Sequence, residues 1–273
     1  MLERQSDLSE LMDDPGVSSE DLERALRELE IINRWLGGYR TTRIGMDRLT
    51  RRLGPGKPVT VLDVGAGGTD LDAILRSSDR HFEVTALDIN PRVREFAARR
   101  GHGSDVVTGS AHALPYPDRS FDIVHASLFL HHCTDFEAIQ LLRQAARIAR
   151  VGVVINDLHR HVFALAGITA LTALLSRSPI VRYDARVSVR RAFTRQDLHT
   201  ILGRAGIGNA TLSWHWAFRW CLWFPVEGRG RDENEMSDVM EHEMRGRIGK
   251  GIKGGIGNGM RDGTAGGIQG GMR

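Results

Sequence analysis

At 273 residues, 41% of them hydrophobic, the chain can bury a sizeable core as one domain with additions or as two small ones. Its 37 Lys and Arg nearly balance 34 Asp and Glu, a net charge of +3 with no basic block interleaved with aromatics, so no nucleic-acid partner is expected. Two lone cysteines, Cys133 and Cys221, suggest no disulfide framework, and the charged start MLERQSDLSELMDDPG lacks the apolar stretch of a signal peptide, so a reduced cytoplasmic protein is expected.

Residues 1–57 read as a helical cap. Ser18 with Asp21 forms a capping signal, and Leu22, Leu26, Leu29, Ile32 and Leu36 recur at helical spacing until Gly37 and Gly38. A second helix is expected over Thr42–Leu53, before GPGKP. From residue 58 strands and helices alternate as in a parallel sheet covered on both faces. The strands are TVLDVG, FEVTALD, DVVTG, FDIVHAS and VGVVIND. Thr69 with Asp72, Asn90 with Pro91, and Thr134 with Glu137 read as helix starts.

After Asp157 comes HVFALAGITALTALLS, apolar on nearly all sides and short for a membrane span, which suits a buried or interfacial helix. An Arg-rich stretch follows, then a helix opened by Thr194 and Asp197. NATLSWHW and RWCLWFPV close the domain as a hairpin, which places an antiparallel strand at the end of a mostly parallel sheet. The domain is expected over 58–226, with a lid insertion at 158–192. Residues 227–273 are Gly-rich without a usable period and are expected to be disordered.

The stretch VLDVGAGGTDLDAIL is a strand, a glycine turn and a helix. Gly65 and Gly67 match the start of a dinucleotide fingerprint, but its third position is Asp70, and no P-loop lysine follows. Asp63, two residues before Gly65, would repel a pyrophosphate. It suits a phosphate-free cofactor with a cationic part, as S-adenosylmethionine is. Asp88 ends the second strand, near the spacing expected for an acid that accepts both ribose hydroxyls.

Together VLDVGAGGTDL, VTALDIN, GSAHALPYPDRSFDIVHASLFLHH and the final hairpin resemble a class I S-adenosylmethionine-dependent methyltransferase, in the small-molecule branch of the ubiquinone- and menaquinone-biosynthesis type. The resemblance covers about residues 59–226. It implies an α/β, Rossmann-like sheet of seven strands, mostly parallel with the last antiparallel, carrying an N-terminal helical extension and a helical lid. It also implies that Asp63, Gly65 and Gly67 line the methionine end of the cofactor, that Asp88 holds the ribose, and that Ser110 and Ala111 flank the adenine. Ala66, Ile89 and Ser127 complete the cofactor set. The chain departs from the family where Ser110 replaces a common Asp and Thr69 replaces the turn's third glycine.

For the acceptor, His131 and His132 at the carboxyl end of the fourth strand are the candidate bases, against a reading in which one packs and the other is solvated. Asp157 and His159, after the fifth strand, are candidate acceptor contacts, against a polar turn. Arg191 is a candidate anchor for an acidic acceptor, against an exposed basic face. Cys133 extends the run to HHC, but adjacent loop residues seldom converge on one ion, so no metal site is expected. Trp35 reads as part of a cap closing over the cofactor with the glycine pair as hinge, or as core packing. A lid apolar all round fits a lipophilic acceptor (a phenol, quinone precursor or polyketide methylated at oxygen or carbon), a dimer partner, or a membrane surface favoured by the neighbouring arginines. The alternatives are an RNA or protein methyltransferase and a cofactor-binding module without catalysis.

Overall fold

A computed structural model describes residues 2–226 except 52, 55, 77 and 101–104. The Gly-rich stretch 227–273, expected to be disordered, lies outside the described residues.

Seven strands form one sheet in the order β3-β2-β1-β4-β5-β7-β6. β1 (Val59–Val64) lies inside it, between β2 (Phe82–Asp88) and the central β4 (Phe121–Ser127), with Val61 opposite Val84 on one side and Ile123 on the other. Five of its six residues are buried, the near-continuous apolar run of a parallel strand covered on both faces. β3 (Asp105–Thr108) forms one edge. β5 (Ala149–Leu158) continues the parallel run, and β7 (Arg219–Pro225) joins it antiparallel. β6 (Thr211–His215) pairs with β7 as the expected hairpin, closed by His215 opposite Arg219.

Helices cover both faces. On one, α5 (Asp135–Ile148) and α8 (Arg195–Ala205) supply Leu142, Ile148 and Ile201 to the larger core. On the other, α2 (Gly38–Thr50) and α3 (Leu71–Leu75) pack Met46, Leu49 and Leu71 against Val61, Ile123 and Val154. Gly45 makes the α2 contact possible, since a Cβ there would stand 2.5 Å from Val154 Cγ1. α4 (Arg92–Arg100) follows β2, and Asn90 caps its entry by accepting from Arg92 N–H at 3.1 Å. Capping boxes open α5 at Thr134 and α8 at Thr194, as their sequences predict.

Several expectations need correction. α1 (Ser19–Trp35) ends before the glycine pair, and Gly37 starts the next helix from a left-handed conformation, φ 79°. α2 therefore begins at Gly38, not Thr42, and ends at Thr50. Thr69 caps nothing. It takes φ 56°, and its hydroxyl donates to the Gly68 carbonyl. Trp35 is 79% exposed, so neither core packing nor closure over a ligand describes it. The Arg-rich stretch is helical, as α7 (Pro179–Arg191). The apolar segment forms α6 (Val162–Leu175), but only Ala164 and Thr172 are buried, while Leu174 is 82% exposed. Among the described residues no helix is long and apolar enough to cross a membrane.

The N-terminal segment is strapped across α7. Buried Asp184 accepts from Leu11 N–H at 2.7 Å and Met12 N–H at 3.0 Å, and Arg191 donates to the Leu8 carbonyl at 2.7 Å. Burial, with Glu10 and Asp13 nearby, pushes the Asp184 carboxyl up to about 6 against the pull of its two donors. The folded chain thus holds this proton more tightly than the unfolded chain. The resulting stability is complete below the ordinary carboxyl range of about 4 and is lost as pH rises through about 6. The wild type minus Asp184→Asn difference in unfolding free energy should therefore fall by on the order of 2 kcal/mol between about pH 4 and 7. Urea titrations at the two ends of that range test this; a pH-independent difference would refute it.

Candidate functional site

The strand order reverses between β1 and β4, which opens a crevice at the carboxyl ends of the sheet. The glycine turn lies there. Gly65 and Gly67 take φ 67° and 45°, and a Cβ on Gly65 would stand 2.1 Å from the Phe129 ring, so no other residue fits. Gly65 and Ala66 N–H both donate to the Leu87 carbonyl, at 2.8 and 3.2 Å, which lashes the turn to β2.

Asp88 closes this lashing. Its Oδ2 accepts from Gly67 N–H and its Oδ1 from Asn90 N–H, each at 2.9 Å. Each oxygen keeps a further lone pair toward the crevice. Burial raises the Asp88 carboxyl above its ordinary value despite those two donors, with Asp13 and Asp63 adding in the same direction. Asp63 is 5% exposed and accepts from His125 Nδ1–H at 2.7 Å; His125 Nε2 lies 3.2 Å from Thr42 Oγ1. Ser110 Oγ accepts from His112 N–H at 3.2 Å, and Ser127 Oγ accepts from Asn156 Nδ2–H at 3.0 Å. Ala111 is buried and Ile89 is exposed at the rim. All nine expected cofactor residues, Asp63, Gly65, Ala66, Gly67, Asp88, Ile89, Ser110, Ala111 and Ser127, line a single cavity of about 1030 Å³.

That cavity continues past the glycine turn into an apolar compartment. Leu22, Leu26 and Leu29 of α1 and Phe163, Ile168 and Leu171 of α6 supply its apolar lining. His131, His132 and His159 line it as well, whereas Asp157 and Arg191 do not. Both of the latter are corrected from acceptor contacts to internal supports. Asp157 is 3% exposed and accepts from His131 twice, from Nδ1–H at 2.7 Å and from the backbone N–H at 2.9 Å. Arg191 spends its guanidinium on the carbonyls of His131, His132 and Leu8.

His131 is corrected too. Burial opposes its charge, but Asp157 and Glu10 outweigh burial and push the imidazole up to about 9. At neutral pH it holds its proton and cannot act as a base. The same network draws Glu10 down to about 2 in spite of its burial. His132 is partly exposed and stacks on Phe129, ring centroids 6.0 Å apart. Cys133 is buried, and burial pushes its thiol up to about 12, so it stays protonated. His159 moves the other way. Burial and the nearby His161, Arg160 and Arg195 lower it, and its Nδ1 makes no hydrogen bond among the described residues.

Three site residues escaped the sequence reading. His125 sits in FDIVHAS, where strand alternation marks it only as an inward position. Glu10 lies in an unpatterned stretch far from the sheet. Arg219 opens β7 and is 2% exposed on the cavity wall. Its Nε and Nη1 make no hydrogen bond among the described residues, and burial lowers it to about 10 against the pull of Asp157.

Residues 62–155 match the family described as "Methyltransferase domain". Over those residues the chain carries a methyltransferase domain. It is 28% identical over 133 residues to a demethylmenaquinone methyltransferase of Thermotoga maritima, covering 47% of this chain and 55% of that protein. It is 36% identical over 115 residues to a 27-O-demethylrifamycin SV methyltransferase of Amycolatopsis mediterranei, covering 38% of this chain and 41% of that protein. The methyltransferase domain thus spans about half the length of these curated relatives. The solved CurJ carbon methyltransferase shares the fold at TM-score 0.52 and 12% identity, over 69% of this chain and 54% of that one.

Removing His125 should leave Asp63 buried without its donor. His125→Ala is expected to cost about 1–3 kcal/mol of stability, read by urea denaturation, because a buried acceptor then goes unsatisfied. A cost within error of zero would show that water replaces the imidazole freely.

Proposed function

We propose that the chain transfers the methyl group of S-adenosylmethionine to oxygen or carbon of a small hydrophobic acceptor. The observation that supports this most is the continuity of the cavity. Its volume of about 1030 Å³ reaches the top of the range of roughly 300–1,000 Å³ usual for one small ligand, so cofactor and acceptor have room together. In this reading Asp88 accepts the two ribose hydroxyls, Ser110 and Ala111 lie along the adenine, and Asp63 with the glycine turn faces the methionine end. The apolar compartment between α1 and α6 receives the acceptor. The names of the relatives, which include a demethylmenaquinone and a demethylrifamycin methyltransferase, support an acceptor of the same hydrophobic kind.

The cofactor supplies a methyl group on a sulfonium, displaced in line with a neutral thioether leaving. The chain has to align the acceptor and exclude water. α1 and α6 wall the compartment with aliphatic side chains and thereby keep it dry. A base is needed only where the acceptor carries a proton that must leave. His159, whose surroundings lower its pKa and which lines the cavity, is the group in this reading that takes that proton. Arg219 stands ready for the oxygen that becomes negative.

The outer face of α6 supports a peripheral role. Leu174 and Leu175 are 82% and 74% exposed, and Arg177 follows them. In this reading α6 rests on an anionic membrane surface and collects a lipophilic acceptor there.

A labelled-methyl transfer screen on lipid and aqueous extracts tests the acceptor class. Product in the lipid fraction is expected, and better transfer to hydrophilic amines or acids would count against the reading. Asp88→Ala should weaken cofactor binding by about 1.5–3 kcal/mol in isothermal titration, as loss of a charged acceptor does; unchanged binding would place the ribose elsewhere. Co-sedimentation with anionic vesicles should fall for Leu174→Glu with Leu175→Glu, and equal sedimentation of wild type and variant would remove the membrane contact.

A further inference from the structure

At the acceptor end of the cavity Glu10, His131 and His132 converge. Glu10 Oε1 lies 3.4 Å from His131 Nε2 and 3.7 Å from His132 Nε2, and the three atoms are all within 4.8 Å of one another. Each imidazole has its other nitrogen on a second carboxylate. His131 Nδ1 is 2.7 Å from Asp157 Oδ1, and His132 Nδ1 is 3.3 Å from Asp13 Oδ2. The Asp157 carboxylate only accepts, so His131 Nδ1 carries hydrogen, and the proton on His131 Nε2, which faces Glu10, is the one an ion bound there would displace.

Three electron-rich atoms directed at one point need positive charge between them. A proton on His131 Nε2 answers only the 3.4 Å contact to Glu10 and leaves the 3.7 Å contact from His132 Nε2 to the same oxygen unanswered. Protonating both rings would set two imidazolium ions side by side, with centroids 4.4 Å apart. A single ion meets all three atoms at once. We propose that Glu10, His131 and His132 bind a divalent transition-metal ion of the zinc class.

The spacing favours it. Tetrahedral bonds of about 2.0–2.1 Å set ligand-to-ligand edges of roughly 3.3–3.5 Å, within a few tenths of an ångström of the two separations to Glu10. The donor set favours it too, because two imidazoles and one carboxylate suit zinc or iron(II), whereas calcium and magnesium ask for oxygens. The Asp157 contact is the carboxylate–histidine support that fixes ring orientation and raises ligand basicity. Glu10 is itself held, since its Oε1 accepts from Ser188 Oγ–H at 2.6 Å. All three ligands line the cavity, and three protein ligands leave one tetrahedral position for a ligand from it. An acceptor oxygen, as phenolate or enolate, is the ligand class that position takes; this last clause rests on the function proposed above, and binding of the ion does not.

The test uses the full chain, stripped with a chelator and titrated with Zn²⁺ by calorimetry and with Co²⁺ by visible absorption. One equivalent of Zn²⁺ and the intense Co²⁺ bands of a tetrahedral site are expected. His132→Ala, at a partly exposed position, and Glu10→Gln should each weaken binding at least tenfold, with the fold of each variant checked by circular dichroism. No binding, octahedral Co²⁺ bands, or undiminished affinity in a folded variant would overturn the proposal. Cofactor binding, titrated separately, keeps the two readings apart: a chain that binds S-adenosylmethionine and no ion loses this site and keeps the methyltransferase reading, and the reverse result does the opposite.

Discussion

The reversal of strand order between β1 and β4 is the constraint from which the site follows. The connections leaving those two strands run to opposite sides, and no helix can fill the gap at their carboxyl ends. Asp63, the glycine turn, His125 and Ser127 are all delivered to that gap by the ends of adjacent strands. The turn must then pass close beneath Phe129 while staying tied to β2 through the Leu87 carbonyl, which requires Gly65 and its positive φ. Asp88 completes the arrangement by accepting from the turn itself. It is both a structural acceptor and the acid best placed for a ligand, so its position is set before any ligand arrives.

The second wall of the cavity is made by chain from outside the sheet. The N-terminal segment is held on α7 by Asp184 and Arg191 and carries Glu10 and Asp13 to within reach of the two histidines. Arg191 holds both partners together, binding Leu8 on one side and the His131 and His132 carbonyls on the other. Such a strap gathers groups more than a hundred residues apart into one buried network. α6 packs on α7 but is not strapped in this way. Its inner face lines the cavity while its outer face stays exposed, as expected of an element that meets something besides this chain.

The fold was legible where periodicity carries the information. The five parallel strands, the hairpin and the capping boxes at Thr134 and Thr194 were read from alternation and local spacing, and the cofactor-side residues sit on those elements in order. What escaped reading is tertiary. Gly37 and Gly38 signal a break, but only the packed position of α2 decides that one ends the joint and the next begins a helix. Arg191 looks like a surface cation until α7 turns it inward. Glu10 and Arg219 carry no local pattern at all, and each matters because of what the fold places opposite it.

The same point decides between the histidines. Chain position makes His131 and His132 equal candidates for a base, and residue type gives no reason to prefer His159. Environment separates them. A proton acceptor needs a lone pair that is free at neutral pH, and His131 has one nitrogen donating to Asp157 while the other faces Glu10. Two carboxylates outweigh its burial and keep it charged. His159 has no carboxylate beside it among the groups that shift it, only cations and another imidazole, and burial works in the same direction. These surroundings favour the neutral ring, and the residue lines the cavity. The histidine pair that looks most catalytic in the sequence includes one ring held charged between two carboxylates, and in the function proposed above His159 is the one left to take up a proton.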